Sequence, residues 1–205
     1  MSGMPSPNTP LSDLARSVQA EWGTDTAKET RELRLAEDHL ATSRIGALPR
    51  YFDFLDCIYR RNAEGQPLYT DDIFVPMPNE DMQLVDKIAP VLRENLRSED
   101  ILLCPLTIGN HPDHHLVRLA AERTGHPLHY YADIPYALEH SEQLNDITEN
   151  LSARVFPITE EEMHAWQHAA AAYRTQNIVL FGGEEKMKNA IKQYWRETQS
   201  IQLYL

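Results

Sequence analysis

Ile101-Leu102-Leu103-Cys104-Pro105-Leu106 is an unbroken apolar run, the pattern of a strand covered on both faces. Just beyond it the chain turns at Gly109, and polar groups crowd the start of a helix expected over residues 112–124. A helix over 81–96 precedes the run, with Leu84, Ile88, Val91, Leu92 and Leu96 at helical spacing. After it come strands at 128–131 and 154–157 and helices at 160–173 and 184–197. Strands separated by helices predict an α/β, Rossmann-like fold, a mainly parallel sheet flanked by helices.

Upstream, Pro5, Pro7 and Pro10 block regular structure, so residues 1–10 read as a disordered tail. Ser12 then caps a helix to about residue 22, and a longer one over 26–45 ends at Gly46. Aromatic and branched residues over 51–59 read as a strand, and 62–78 as a surface loop with a turn at Glu64-Gly65. The 205-residue length suits one well-cored domain over 11–205.

Lysine and arginine number 19 against 31 aspartates and glutamates, a net charge of −12 with no basic segment. That balance repels phosphate backbones and excludes nucleic acid and anionic membranes as partners. No apolar run reaches the length of a membrane span and the start is rich in Pro, Ser and Asn, so a cytoplasmic protein is expected. Cys57 and Cys104 lack CxxC spacing and read as buried thiols.

The chemistry gathers at Gly109-Asn-His-Pro-Asp-His-His115, at the carboxyl end of a strand, where open α/β sheets bind their ligands. Asn110 can cap the helix and Pro112 suits its first turn, while the spacing of His111 and His114 puts both imidazoles on one face with Asp113 between them. Neutral imidazole is a preferred zinc ligand, and a neighbouring carboxylate can fix its orientation. A histidine-rich helix start is also what a solvated cap looks like. Three histidines and an aspartate in five residues put a metal or acid/base site on equal terms with that reading.

Gly109-Asn-His-Pro-Asp-His-His-Leu-Val-Arg-Leu-Ala-Ala121 resembles the second signature of the PIG-L/LmbE family of zinc-dependent N-deacetylases, His-x-Asp-His opening a helix. Arg34-Leu-Ala-Glu37, Ile45-Gly46, Asp53-Phe-Leu-Asp56, Tyr130-Tyr-Ala-Asp-Ile-Pro-Tyr136 and Ala172-Tyr-Arg-Thr-Gln176 are similar to further family landmarks in the same order. The resemblance implies His114 as a zinc ligand and His111 as the group that stabilises the oxyanion or protonates the leaving amine, with Asp113 orienting it. It sets Arg34 and Asp56 near the polyol part of a substrate and Tyr136 at the mouth. The alternatives carry equal weight: Arg34 paired with Glu37 on a solvated helix, Asp56 in a turn, Tyr136 in the core. The implied substrate is a small N-acyl sugar or conjugate.

Family members open with a strand ending in His-Pro-Asp-Asp, which supplies two further zinc ligands and a general base. No such motif occurs here. The expected fold therefore lacks its first strand, the metal site is incomplete, and zinc binding by the chain alone is expected to be weak. A bare sheet edge of this kind favours association with a second copy or a partner chain. Three origins fit that pattern: a start assigned too far downstream, a split protein, or a degenerate relative that binds without catalysis.

Overall fold

The computed structural model describes residues 2–205. In chain order its elements are α1 (Asp13–Glu21), α2 (Ala27–Arg44), a 3-10 turn (Cys57–Tyr59), α3 (Asn79–Glu94), β1 (Leu102–Pro105), α4 (Pro112–Glu122) and β2 (Leu128–Tyr131). Then follow α5 (Tyr136–Glu139), α6 (Ser141–Thr148), β3 (Ala153–Pro157), α7 (Glu160–Ala170), α8 (Arg174–Phe181), α9 (Glu184–Thr198) and β4 (Ser200–Tyr204). They gather into two compact units, one of residues up to Asp71 with Pro157–Ser200, the other of Asp72–Phe156 with Ile201–Leu205. No described helix is long and apolar enough to cross a membrane.

The first unit is helical. Thr26 with Glu29 and Thr159 with Glu162 form reciprocal capping boxes that start α2 and α7. Met163, Met187 and Ile191 are buried between α7 and α9, with Trp166, Phe181 and Trp195 packed around them. From α2, the buried Glu37 accepts the Thr175 backbone N–H at 2.9 Å and its hydroxyl at 2.7 Å, satisfying donors at the start of α8. The next residue, Asp38, accepts the hydroxyls of Tyr51 at 2.7 Å and Tyr173 at 2.6 Å.

Burial and the Asp38 carboxylate push the Tyr51 hydroxyl from 10.0 up to about 12, and the same causes raise Tyr173. A hydroxyl whose pKa is raised by folding stabilises the fold fully below pH 10, and that contribution is lost as pH climbs towards 12. The thermal midpoint of the chain is therefore expected to fall through that window, and to fall less in the Tyr51→Phe/Tyr173→Phe double variant. Identical pH profiles for the two proteins would refute this role.

Residues 2–10, expected as a tail, have partners. Ser2 and Gly3 donate backbone N–H groups to Phe52 and Phe54, Arg31 donates to the Ser2 carbonyl, and a Cβ on Gly3 would lie 2.8 Å from the Phe54 backbone. The strand expected over 51–59 is not formed. Asp56 caps the 3-10 turn there, accepting the Ile58 N–H at 3.3 Å, and a capped turn replaces a ladder.

The second unit holds a four-stranded sheet in the order β1-β2-β4-β3. The fold is α/β with helices flanking the sheet, and the sheet is mixed. β1 and β2 run parallel, with Leu102 opposite Leu128 and Pro105 opposite Tyr131, while β4 lies antiparallel to β2. Ser152 and Leu205 exchange both backbone hydrogen bonds, the mark of an antiparallel pair, beside β3 and β4. The antiparallel character comes from β4, which follows α9 directly through Gln199 at φ +51°.

β1 stands at one end of the strand order, and its Leu103, with the preceding Ile101, is exposed. The apolar run is thus not covered on both faces: Cys104, Pro105 and Leu106 are buried and Leu103 is not. α4 packs against β1 and α3. Leu106, Ile108, Ala137 and Tyr204 form a core that Leu144, Ile147 and Leu151 cover. Residues 134–150, between the strands expected at 128–131 and 154–157, are largely α5 and α6 with an apolar face of their own.

Candidate active site

Parallel pairing of β1 and β2 sets their carboxyl ends side by side, the position at which open α/β sheets collect functional groups. Beyond β1 the backbone coils tightly, with Thr107, Gly109 and Asn110 at φ +67°, +81° and +60°. Left-handed conformations cost about 1–3 kcal/mol for ordinary residues and cluster at functional sites. Side chains from later segments hold the coil: Ile108 N–H donates to Asp133 Oδ2 at 3.1 Å and Gly109 N–H to Gln143 Oε1 at 3.2 Å.

Gly109 is required twice over. Besides its positive φ, a Cβ there would sit 2.6 Å from the Tyr136 ring. Gly109→Ala is expected to destabilise the chain by roughly 1–3 kcal/mol and to displace Tyr136. A urea midpoint equal to that of the parent would contradict this.

His111 is the N-cap of α4, and Pro112 occupies its first turn. Asn110, expected to cap, instead makes the left-handed step before it. The ring of His111 does the capping, its Nδ1 accepting the Asp113 backbone N–H at 3.2 Å. An Nδ1 that accepts leaves the neutral ring with its proton on Nε2. His111 therefore presents an N–H donor.

His114 has the opposite arrangement. Its Nδ1 lies 2.6 Å from Asp133 Oδ1, and Asp133 is only 3% exposed. A carboxylate accepts, so the ring keeps its proton on Nδ1 and presents a lone pair on Nε2. The two rings lie 4.9 Å apart at 32°. One strand end thus offers a hydrogen-bond donor and a lone-pair donor as neighbours.

Tyr136 stands edge-on to His114 at 6.3 Å, and Phe74 edge-on to His111 at 6.1 Å and to Tyr136 at 6.2 Å. His115, on the next position of α4, is half-buried, and burial, with help from Arg118 and His114, lowers its pKa from 6.5. Arg118 donates to the Leu106 carbonyl at 2.9 Å, ion-pairs with Glu122 and lies over the Tyr130 ring, tying α4 to both strands.

No protein-family model matches the chain. A search of curated proteins finds 2'-N-acetylparomamine deacetylase of Niallia circulans, 33% identical over 165 residues. Among solved structures, a deacetylase complex from the teicoplanin biosynthesis pathway superposes over the whole chain and 83% of its own, with TM-score 0.83 and 25% identity. The relatives are deacetylases.

The pseudoaglycone deacetylase Dbv21 of the antimicrobial reagent A40926 gives TM-score 0.75 at 25% identity, covering the whole chain and 81% of its own. The zinc-inhibited form of teicoplanin deacetylase Orf2 gives 0.81 at 24%, a likeness of fold. The alignment with the acetylparomamine deacetylase takes in 76% of this chain, which spans 57% of that relative's length.

Of the residues singled out from sequence, His111, Asp113, His114 and Tyr136 gather at the β1 end. Arg34 and Asp56 belong to the first unit, where they pair with each other at 3.1 Å and Arg34 also lies over the Trp22 ring. Arg34 does not pair with Glu37, which Thr175 occupies. Sequence reading missed Asp133, Gln143 and Phe74. For Asp133 a signal existed: it lies two residues beyond β2, the strand paired with β1.

Proposed function

We propose that this chain is of the PIG-L/LmbE kind, a metal-dependent hydrolase that removes an acetyl group from the nitrogen of an amino sugar or its conjugate. The observation that carries the reading is the complementary pair of imidazoles, one fixed as an N–H donor by an accepting Nδ1 and one as a lone-pair donor by a buried carboxylate. The deacetylase relatives support it. The alternative, a binding protein without catalysis, finds no support among them.

The chemistry of His114 fits zinc: a carboxylate–histidine pair is the usual support of a zinc-bound imidazole. Bound there, zinc would polarise the acyl carbonyl and activate a water. His114 serves as ligand and Asp133 holds its ring in orientation. His111 donates its Nε2–H to the carbonyl oxygen as negative charge grows on it. Asp113 keeps His111 in that tautomer, and so oriented, through its backbone N–H. Tyr136 lines the mouth of the site.

Catalytic zinc typically takes three protein ligands, so one histidine holds the ion weakly and turnover by the 205-residue chain is slow. The test is release of primary amine from N-acetylglucosamine with and without zinc. Slow, zinc-dependent release that His114→Ala abolishes is expected. Equal release from the parent and the variant would defeat the reading.

A further inference from the structure

Phe74 is a large aromatic side chain left 47% exposed beside two histidines. Its ring meets His111 and Tyr136 at 83° and 69°, as steep edge contacts rather than stacks, and close to half of its surface stays open. The residue does not sit on an unsupported tip: its backbone N–H donates to Asp72 Oδ1 at 3.0 Å, fixing the turn from which the ring projects. An apolar face held open at the border of a polar site is what a ligand with a matching apolar face would cover.

We propose that Phe74 is the stacking platform for the pyranose ring of the substrate, an inference that rests on the deacetylase reading. A pyranose presents C–H groups on its faces and hydroxyls around its rim. It therefore suits an open aromatic surface bordered by hydrogen-bonding groups, which here are the imidazole of His111 and the hydroxyl-bearing Tyr136. A long acyl chain would need an enclosed apolar slot, and Phe74 is too open to wall one. With the ring stacked there, the N-acetyl group lies within reach of the imidazole pair, so Phe74 selects for sugar amides over acyclic ones.

Saturation-transfer NMR on the full chain with N-acetylglucosamine tests this without requiring turnover. Irradiating the aromatic protons is expected to saturate the sugar ring C–H protons most strongly. Phe74→Ala should weaken binding about fivefold, the scale of one aromatic contact, and Phe74→Trp should restore the ring-proton signal. Saturation centred on the acetyl methyl, a signal unchanged in Phe74→Ala, or no saturation at all would overturn the platform. Amine release from the same sugar is scored separately. Release without Phe74-dependent saturation retains the deacetylase and removes the platform, and the converse retains the platform and removes the chemistry.

Discussion

Asp133→Asn is expected to lower zinc affinity and amide hydrolysis by about 10- to 100-fold while leaving the fold intact, the usual effect of removing the group behind a metal-bound histidine. Both carboxylate oxygens of Asp133 are used, one by His114 Nδ1 at 2.6 Å and one by the Ile108 N–H at 3.1 Å. An asparagine can accept from only one of them, and turning its amide to serve Ile108 sets an NH2 group against the imidazole. The ring is then free to move its proton to Nε2, and the lone pair on that atom is lost. Zinc calorimetry and amine release read the effect, with circular dichroism as the control on folding. Parent-like affinity and turnover in Asp133→Asn would show that the buried carboxylate only supports the loop.

His111→Ala is expected to lower kcat by about 10²- to 10³-fold, the cost of removing one donor to a developing oxyanion, with KM changed much less. The substitution also removes the cap of α4, because His111 Nδ1 accepts the Asp113 N–H. Loss of a cap costs about 1 kcal/mol, so part of the damage would be structural. His111→Asn separates the two roles. It retains an acceptor for the cap and restores the thermal midpoint, but it has no N–H at the position of Nε2 and stays as slow as alanine. Recovery of kcat together with the midpoint would assign His111 a purely structural role.

Local signals in the sequence carried most of the elements. Ser12 caps α1 and Thr26 caps α2, and β2 begins and ends where its apolar and aromatic residues do. The His111–His114 spacing gave the two rings on one face because three residues along a helix is nearly one turn. What failed depended on contacts distant in sequence. Residues 51–59 have strand composition, but Asp56 closes a turn and the first residues of the chain supply the backbone partners of Phe52 and Phe54.

β4 was not legible because its five residues follow a fifteen-residue helix without a glycine or proline between them, and Gln199 makes the left-handed step that glycine usually makes. The helices within 134–150 were hidden by polar neighbours, although Leu144, Ile147 and Leu151 stand at helical spacing. In the sequence, Asp133 stands out only as part of the Tyr130–Tyr136 stretch that is similar to a family landmark. Its partnership with His114 depends on β1 and β2 being adjacent and parallel, which no local pattern states.

One donor ring and one lone-pair ring at a shared strand end suit amide hydrolysis, since the lone pair can hold a metal that would polarise the carbonyl and the donor can stabilise the charge growing on its oxygen. The backbone around it is strained at Thr107 and Asn110 and held by Asp133 and Gln143. Rigid support of this kind keeps the rings in register before a substrate arrives.

Anomalous diffraction from crystals of the chain soaked in zinc addresses the centre of this account directly. A metal peak about 2.0–2.1 Å from Nε2 of His114 is predicted, with Asp133 still on Nδ1 and His111 alongside as a non-ligand. A peak on other residues, or His114 turned so that Nε2 faces away from the bound ion, would contradict it.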